Sequence, residues 1–146
     1  SNSHSEVISL LGGNLYKNAK EFIKVLCDIN LAKPNKSCYL AAQQFGMASP
    51  KNDYDSSFFV NRESSWKPWI YGSWDKDNIE EKTIVLGWMY KSWSKLKRFF
   101  PHIHLAQIHN HLNSHHEEIN LAYGHKLDDL KRLKNFYDPL NILPPL

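Results

Sequence analysis

The spacing of apolar residues divides the chain into segments of two periods. From about Lys17 to Asp28 the positions Phe22, Ile23, Leu26 and Ile29 recur at helical intervals and predict a helix. Asn30 to Ser37, with Lys33-Pro34-Asn35, reads as a loop. Cys38 to Phe45 is short, apolar and partly alternating, which predicts a strand ending at Gly46. Residues 47–56 read as loop, and Ser57 to Val60 starts a further strand. In Trp69 to Trp74, residues Trp69, Tyr71 and Ser73 alternate with Ile70 and Trp74. That period predicts another strand, antiparallel to its neighbour.

The strongest helical signal follows. Asp77-Asn78 can cap a helix, and Glu80 and Glu81 fall in its first turn, where the helix dipole favours anions. Val85, Leu86, Met89, Trp93, Leu96 and Phe100 then repeat at three- and four-residue steps. Lys95, Lys97 and Arg98 place cations at the end, and Pro101 stops the helix. Glu117 to Tyr123 predicts a short helix closed by Gly124. Leu127, Leu130, Leu133 and Tyr137 predict another, broken by Asp138-Pro139. The tail from Leu140 to Leu146 should be extended. Residues 1–6 are polar and read as a loose end, followed by a turn at Gly12-Gly13-Asn14, so that 1–16 is expected to be a loose N-terminal segment. The expected class is α+β, an antiparallel sheet backed by helices.

The length of 146 residues suits one core. A net charge of +3 is too weak to imply nucleic acid. No apolar run reaches the length of a membrane span, and no signal-peptide pattern stands at residues 1–6. The expectation is therefore no nucleic acid and no membrane. Cys27 and Cys38 could form one disulfide or be two free thiols, which leaves the redox compartment and the location open. Five Trp, seven Tyr and seven Phe are an aromatic-rich set that can fill a core or line a pocket for flat ligands. Trp88 and Trp93 lie on the helical apolar stripe and read as core, whereas Trp69 and Tyr71 on a strand face are candidates to touch a ligand.

Six of the eight histidines fall between Pro101 and His116. Alternating pairs such as His102 with His104, or His109 with His111, would share a strand face and could bind a transition metal. Equally, they could be solvated loop histidines, or one could carry a proton, since an imidazole titrates near pH 6.5. There is no phosphate-binding glycine loop and no nucleophile elbow. The residues alone describe a binding or capping domain.

The C-terminal third resembles a known family. Ala122-Tyr-Gly-His-Lys-Leu-Asp-Asp-Leu130, and then Lys131-Arg-Leu-Lys-Asn-Phe-Tyr-Asp-Pro-Leu-Asn-Ile142, are similar to the closing signature of the berberine bridge family of FAD-linked oxidases. That family ends in Tyr-Gly-x-Asn-Tyr-x-x-Leu followed by a Lys and an Asp-Pro-x-Asn motif. Leu143-Pro144-Pro145-Leu146 resembles the Ile-Pro-Pro-Leu end of plant members. Upstream, Ile108-His-Asn-His-Leu-Asn113 stands where the family has Tyr-x-Asn-Tyr-x-Asp. Phe58-Phe-Val-Asn-Arg62 resembles Ala-Phe-Pro-His-Arg, and Gln44-Phe-Gly46 resembles the preceding Phe-Gly-Gly.

The resemblance implies the end of a substrate-binding domain at 17–116 and a C-terminal tail at 117–146 that returns to a separate FAD domain. It implies that the sheet faces the flavin, and that Asn110 and Ile108 lie beside the isoalloxazine. His111 stands where several members carry the catalytic base. Asn61, Arg62, Trp69 and Tyr71 would meet the substrate, an alcohol, sugar or similar molecule that gives hydride to FAD. Ile108, Asn61, Asn113 and Lys126 depart from the family's residues, which keeps two alternatives in view: a catalytically degenerate remnant that only binds, and a His-rich metal-binding domain. Activity would require a complementary FAD-binding domain or chain, and the surface meeting it would favour self-association.

Overall fold

The computed structural model describes residues 2–13, 15–45, 64–103 and 115–143. Among these residues three strands and four α-helices follow one another as β1 (Ser3–Ser9), α1 (Ala19–Leu31), β2 (Tyr39–Gln44), β3 (Trp66–Asp75), α2 (Ile79–Leu96), α3 (His115–Tyr123) and α4 (Leu127–Tyr137). The strands form one antiparallel sheet in the order β1-β3-β2. The expected α+β class is the observed one. The expected strand at residues 57–60 lies outside the described residues.

The N-terminal segment corrects the sequence reading. Residues 1–6 and the wider 1–16 stretch were expected to be loose, but Ser3–Ser9 pairs along its whole length with β3, from Ser3 opposite Asp75 to Ser9 opposite Trp69. The helix-side positions of this strand are His4, Glu6 and Ile8, so only one of the three is apolar and the usual alternation is hidden. His4 compensates by stacking on Trp74, with ring centroids 6.4 Å apart. Glu6 is buried opposite Gly72.

Helices α1 and α2 lie over one face of the sheet and enclose the core with it. Val85, Trp88, Met89, Trp93 and Leu96 of α2 are buried, as the helical spacing predicts, and Phe100 follows them into the core. The Asn78 side chain accepts from the Glu81 backbone N–H at 2.9 Å and caps α2. The face of α1 is shifted from the expected one: Val25 and Ile29 are buried, Phe22 and Leu26 are partly buried, and Ile23 is exposed. Trp88 Nε1 donates to the Ile29 carbonyl at 3.1 Å and ties the two helices together. The loop before β2 is fastened by Asn35, whose amide donates to Ser73 O at 2.9 Å and to Glu81 Oε1 at 2.8 Å. Cys38 is buried, Cys27 is exposed, and both are free thiols. Among the described residues no helix is long and apolar enough to cross a membrane.

The C-terminal helices join α2 through Lys97, which pairs with Glu117 of α3 and sits over the Trp93 ring at 4.4 Å. Gly124, at a φ of 51°, turns the chain from α3 towards α4. The Asp138-Pro139 break has a clear physical basis. The buried Asp138 carboxylate accepts from Lys134 Nζ at 2.5 Å and from the backbone N–H groups of Ile142 at 2.7 Å and Leu143 at 3.1 Å. It therefore closes the end of α4 and folds the tail back, with Asn141 at a φ of 51° making the turn.

The hydrogen bond from Lys134 holds the Asp138 carboxyl below its ordinary value of 3.8, with the two backbone donors adding to that effect. A depressed folded-state pKa contributes stability above the unfolded value and loses it as pH falls through the folded one. The protection of the Ile142 and Leu143 amides from hydrogen exchange, relative to the unfolded chain at the same pH, should therefore be high at neutral and mildly acidic pH and fall only below about the normal carboxylate range. In Asp138→Asn, which cannot accept in the same way from all three donors, exchange should be fast throughout. Equal protection in both proteins would show that the carboxylate does not hold the tail.

Candidate functional site

The sheet face away from α2 carries the candidate chemistry. Side chains alternate along β3, so Ile70, Gly72 and Trp74 belong to the helix side and Trp69 and Tyr71 to the other. Antiparallel register brings Tyr39 of β2 and Val7 of β1 opposite Tyr71, and Ala41 and Ser9 opposite Trp69. The Tyr39 and Tyr71 rings stack at 4.7 Å with planes 17° apart. Such a cross-strand aromatic pair steadies the sheet and offers a flat apolar surface with two hydroxyls at its margin. Tyr39 is 43% exposed, and Trp69 and Tyr71 are half-buried, so these rings still have surface to give to a ligand.

Of the expected site residues, then, Trp69 and Tyr71 share one face two residues apart. Asn61, Arg62, Ile108, Asn110 and His111 lie outside the described residues, as do His104 and His109. His102 is described: its backbone pairs with Leu11, and burial pushes its imidazole below the usual 6.5. Among the described residues no three His, Cys, Asp or Glu side chains converge as a metal site would require. Tyr39 was not singled out from the sequence. The signal was available as a tyrosine in a predicted strand, but only register shows that it meets Tyr71.

Two other hollows have less to offer. One, of about 280 Å³, lies between α1 and the sheet and is lined by Phe22, Leu26, Leu40, Trp66 and Pro68 without a charged group. The other is a charged groove between α1 and α2, where Glu21 already pairs with Arg98 at 2.7 Å.

No family model matches the sequence, and no curated protein matches it. Solved structures do match. BBE-like 1 of Physcomitrella patens superposes on 97% of this chain with a TM-score of 0.80 at 16% identity. Berberine bridge enzyme from Eschscholzia californica covers 99% with a TM-score of 0.77 at 17% identity. CrmK, a flavoenzyme of caerulomycin biosynthesis, covers 98% with a TM-score of 0.78 at 14% identity. The chain has the fold of one part of a berberine-bridge-type oxidoreductase. It spans only 29%, 32% and 31% of those three chains. The berberine-bridge-type fold thus accounts for nearly every residue here, while most of each matched structure has no counterpart in this chain.

The glycines do not supply a dinucleotide cradle. A Cβ on Gly12 would stand 2.8 Å from Phe100 Cα, and one on Gly13 would stand 2.9 Å from the Ser65 backbone nitrogen. Both glycines are used for close packing of the chain on itself. Neither Gly12 nor Gly13 therefore leaves room for a phosphate against its Cα.

Proposed function

We propose that this chain is the substrate-domain part of a FAD-dependent oxidoreductase, in which hydride passes from an alcohol, sugar or similar substrate to a flavin held by a complementary FAD-binding domain or chain. The observation that carries this reading is the fold match, which is nearly complete for this chain and covers about a third of each flavoenzyme. A second observation supports it. Phe136, Tyr137, Leu140 and Ile142, at the end of α4 and in the following tail, are 76–80% exposed. Apolar residues so close together on the surface are what a partner domain would cover.

In this reading the chain's own contribution is binding and proton handling. Trp69 and Tyr71 present apolar ring surface to the substrate, with Asn61 and Arg62 as polar contacts. Asn110 and Ile108 lie beside the flavin. His111 accepts a proton from the substrate, a task for which a neutral imidazole is suited near neutral pH. The departures at Ile108, Asn61, Asn113 and Lys126 favour a second reading, a remnant that binds but does not turn over.

The test is expression of the polypeptide with the sequence that precedes it in its gene. The longer protein should be yellow, should bleach anaerobically with a substrate found by screening alcohols and sugars, and should recover its colour with oxygen. His111→Ala should slow bleaching roughly a hundredfold or more while flavin is retained. A longer protein that stays colourless even with added FAD and a candidate FAD-binding partner chain would end the flavoenzyme reading, and a yellow one inert to every substrate would favour the remnant.

A further inference from the structure

The candidate face has a feature outside the aromatic pair. Lys67 precedes Trp69 by two residues on β3 and so shares its face, next to Gln43 of β2 in the register. It is half-buried and makes no salt bridge to any described residue. The one acid in β1, Glu6, stands opposite Gly72 on the helix side of the sheet. Asp75 is the sole carboxylate of β2 and β3; by alternation it shares this face, but it is exposed and ends β3 eight residues, roughly 26 Å, along the strand from Lys67. Burial also pushes the Lys67 ammonium below its ordinary 10.5, as expected for a cation with less water around it.

We propose that Lys67 sets the charge preference of this face, whose ligand is a flat aromatic acid with its rings on Trp69 and Tyr71 and its carboxylate or phenolate paired with the Lys67 ammonium. This rests on the reading of the face as the substrate side. The geometry suits such a molecule. At a rise of about 3.3 Å per residue, Lys67 stands roughly 7 Å from Trp69 and roughly 13 Å from Tyr71 along the strand, the span of two fused or linked rings bearing an acid at one end. Bare aromatic faces attract cations, but a neighbouring ammonium opposes that and inverts the selection. The acid therefore fixes which end of the ligand points along the strand, and the rings supply most of the contact area.

The inference can be tested on this chain without flavin. Naphthoate and naphthamide have nearly the same shape and differ in charge, and their binding can be followed by ligand-observed NMR. Naphthoate should bind about fivefold more tightly, the usual scale for one partly exposed ion pair. Lys67→Gln should abolish that difference and leave naphthamide unchanged, Lys67→Arg should keep it, and Tyr71→Ala should weaken both ligands. Circular dichroism matching the parent chain establishes that each variant is folded. Equal binding of the two ligands, no binding of either, or a preference that survives Lys67→Gln would overturn the proposal. The two readings fail separately. A yellow, active longer protein without the acid preference removes only the role of Lys67. The preference in this chain beside a longer protein that stays colourless even with added FAD and a partner chain removes the oxidoreductase and leaves an aromatic-acid binding face.

Discussion

Truncating Trp93 to alanine is expected to destabilise the fold by about 3–5 kcal/mol, the range for emptying a buried indole site. That is a large share of the roughly 5–15 kcal/mol that holds a domain together. Trp93 is 1% exposed, lies 6.1 Å from the Tyr90 ring, and supports Lys97, which in turn reaches Glu117. Its loss should loosen α3 as well as α2. A finer comparison separates volume from hydrogen bonding. Trp93 Nε1 has no hydrogen-bond partner among the described residues, whereas Trp88 Nε1 donates to Ile29 O. Trp93→Phe therefore loses packing alone. Trp88→Phe also strands the Ile29 carbonyl, at a further cost of about 1–3 kcal/mol if water cannot reach it. Urea denaturation of the four proteins decides this. A Trp93→Ala protein as stable as the parent would show that the ring is not part of the core.

Adding one methyl group at Gly72 is expected to cost about 1–3 kcal/mol through overpacking. Gly72 lies at the centre of β3, where glycine would otherwise weaken a strand. It is there because α2 comes close: a Cβ would stand 2.7 Å from Val85 Cγ1 and nearer still to Met89 Sδ. Both obstacles are side-chain atoms, so the clash has a specific remedy. Met89→Ala by itself should cost about 2–5 kcal/mol as a cavity. Combined with Gly72→Ala it should cost less than the two separate losses added together, because the new methyl group occupies part of the vacated space. Strict additivity would mean that the helix shifts as a body instead. The larger Gly72→Val should prevent folding or displace α2.

The helices and the central strand were legible because their packing follows a local period. In α2 the apolar stripe, the Asn78 cap and the terminal cations agree with one another, and its residue limits came out close to the expected ones. The face of α1 was read less well, since Phe22, Ile23, Leu26 and Ile29 fit a helical stripe nearly as well as the buried pair Val25 and Ile29. β1 was illegible for a different reason. Two of its three inward residues, His4 and Glu6, look solvated until Trp74 and Gly72 are known to be opposite them. The same limit applies to the site. Trp69 and Tyr71 could be placed on one face from β3 alone, but the meeting of Tyr39 with Tyr71 and of Gln43 with Lys67 depends on which strands are neighbours, and pairing between strands distant in sequence leaves no local trace.

The strand order also governs when the sheet can form. β1 is translated before β2 and β3, yet among the described residues its strand partner is β3, roughly seventy residues later. Until β3 has been made, neither β1 nor β2 has the strand it pairs with in this sheet. Loop closure over that distance is slow compared with helix formation, so α1 can be in place before any ladder exists. β3 must then insert between two waiting strands, which makes it the late, committing step of assembly. Lesions in β3 should consequently lower the yield of folded chains made in a cell more than their effect on the finished protein's stability would suggest.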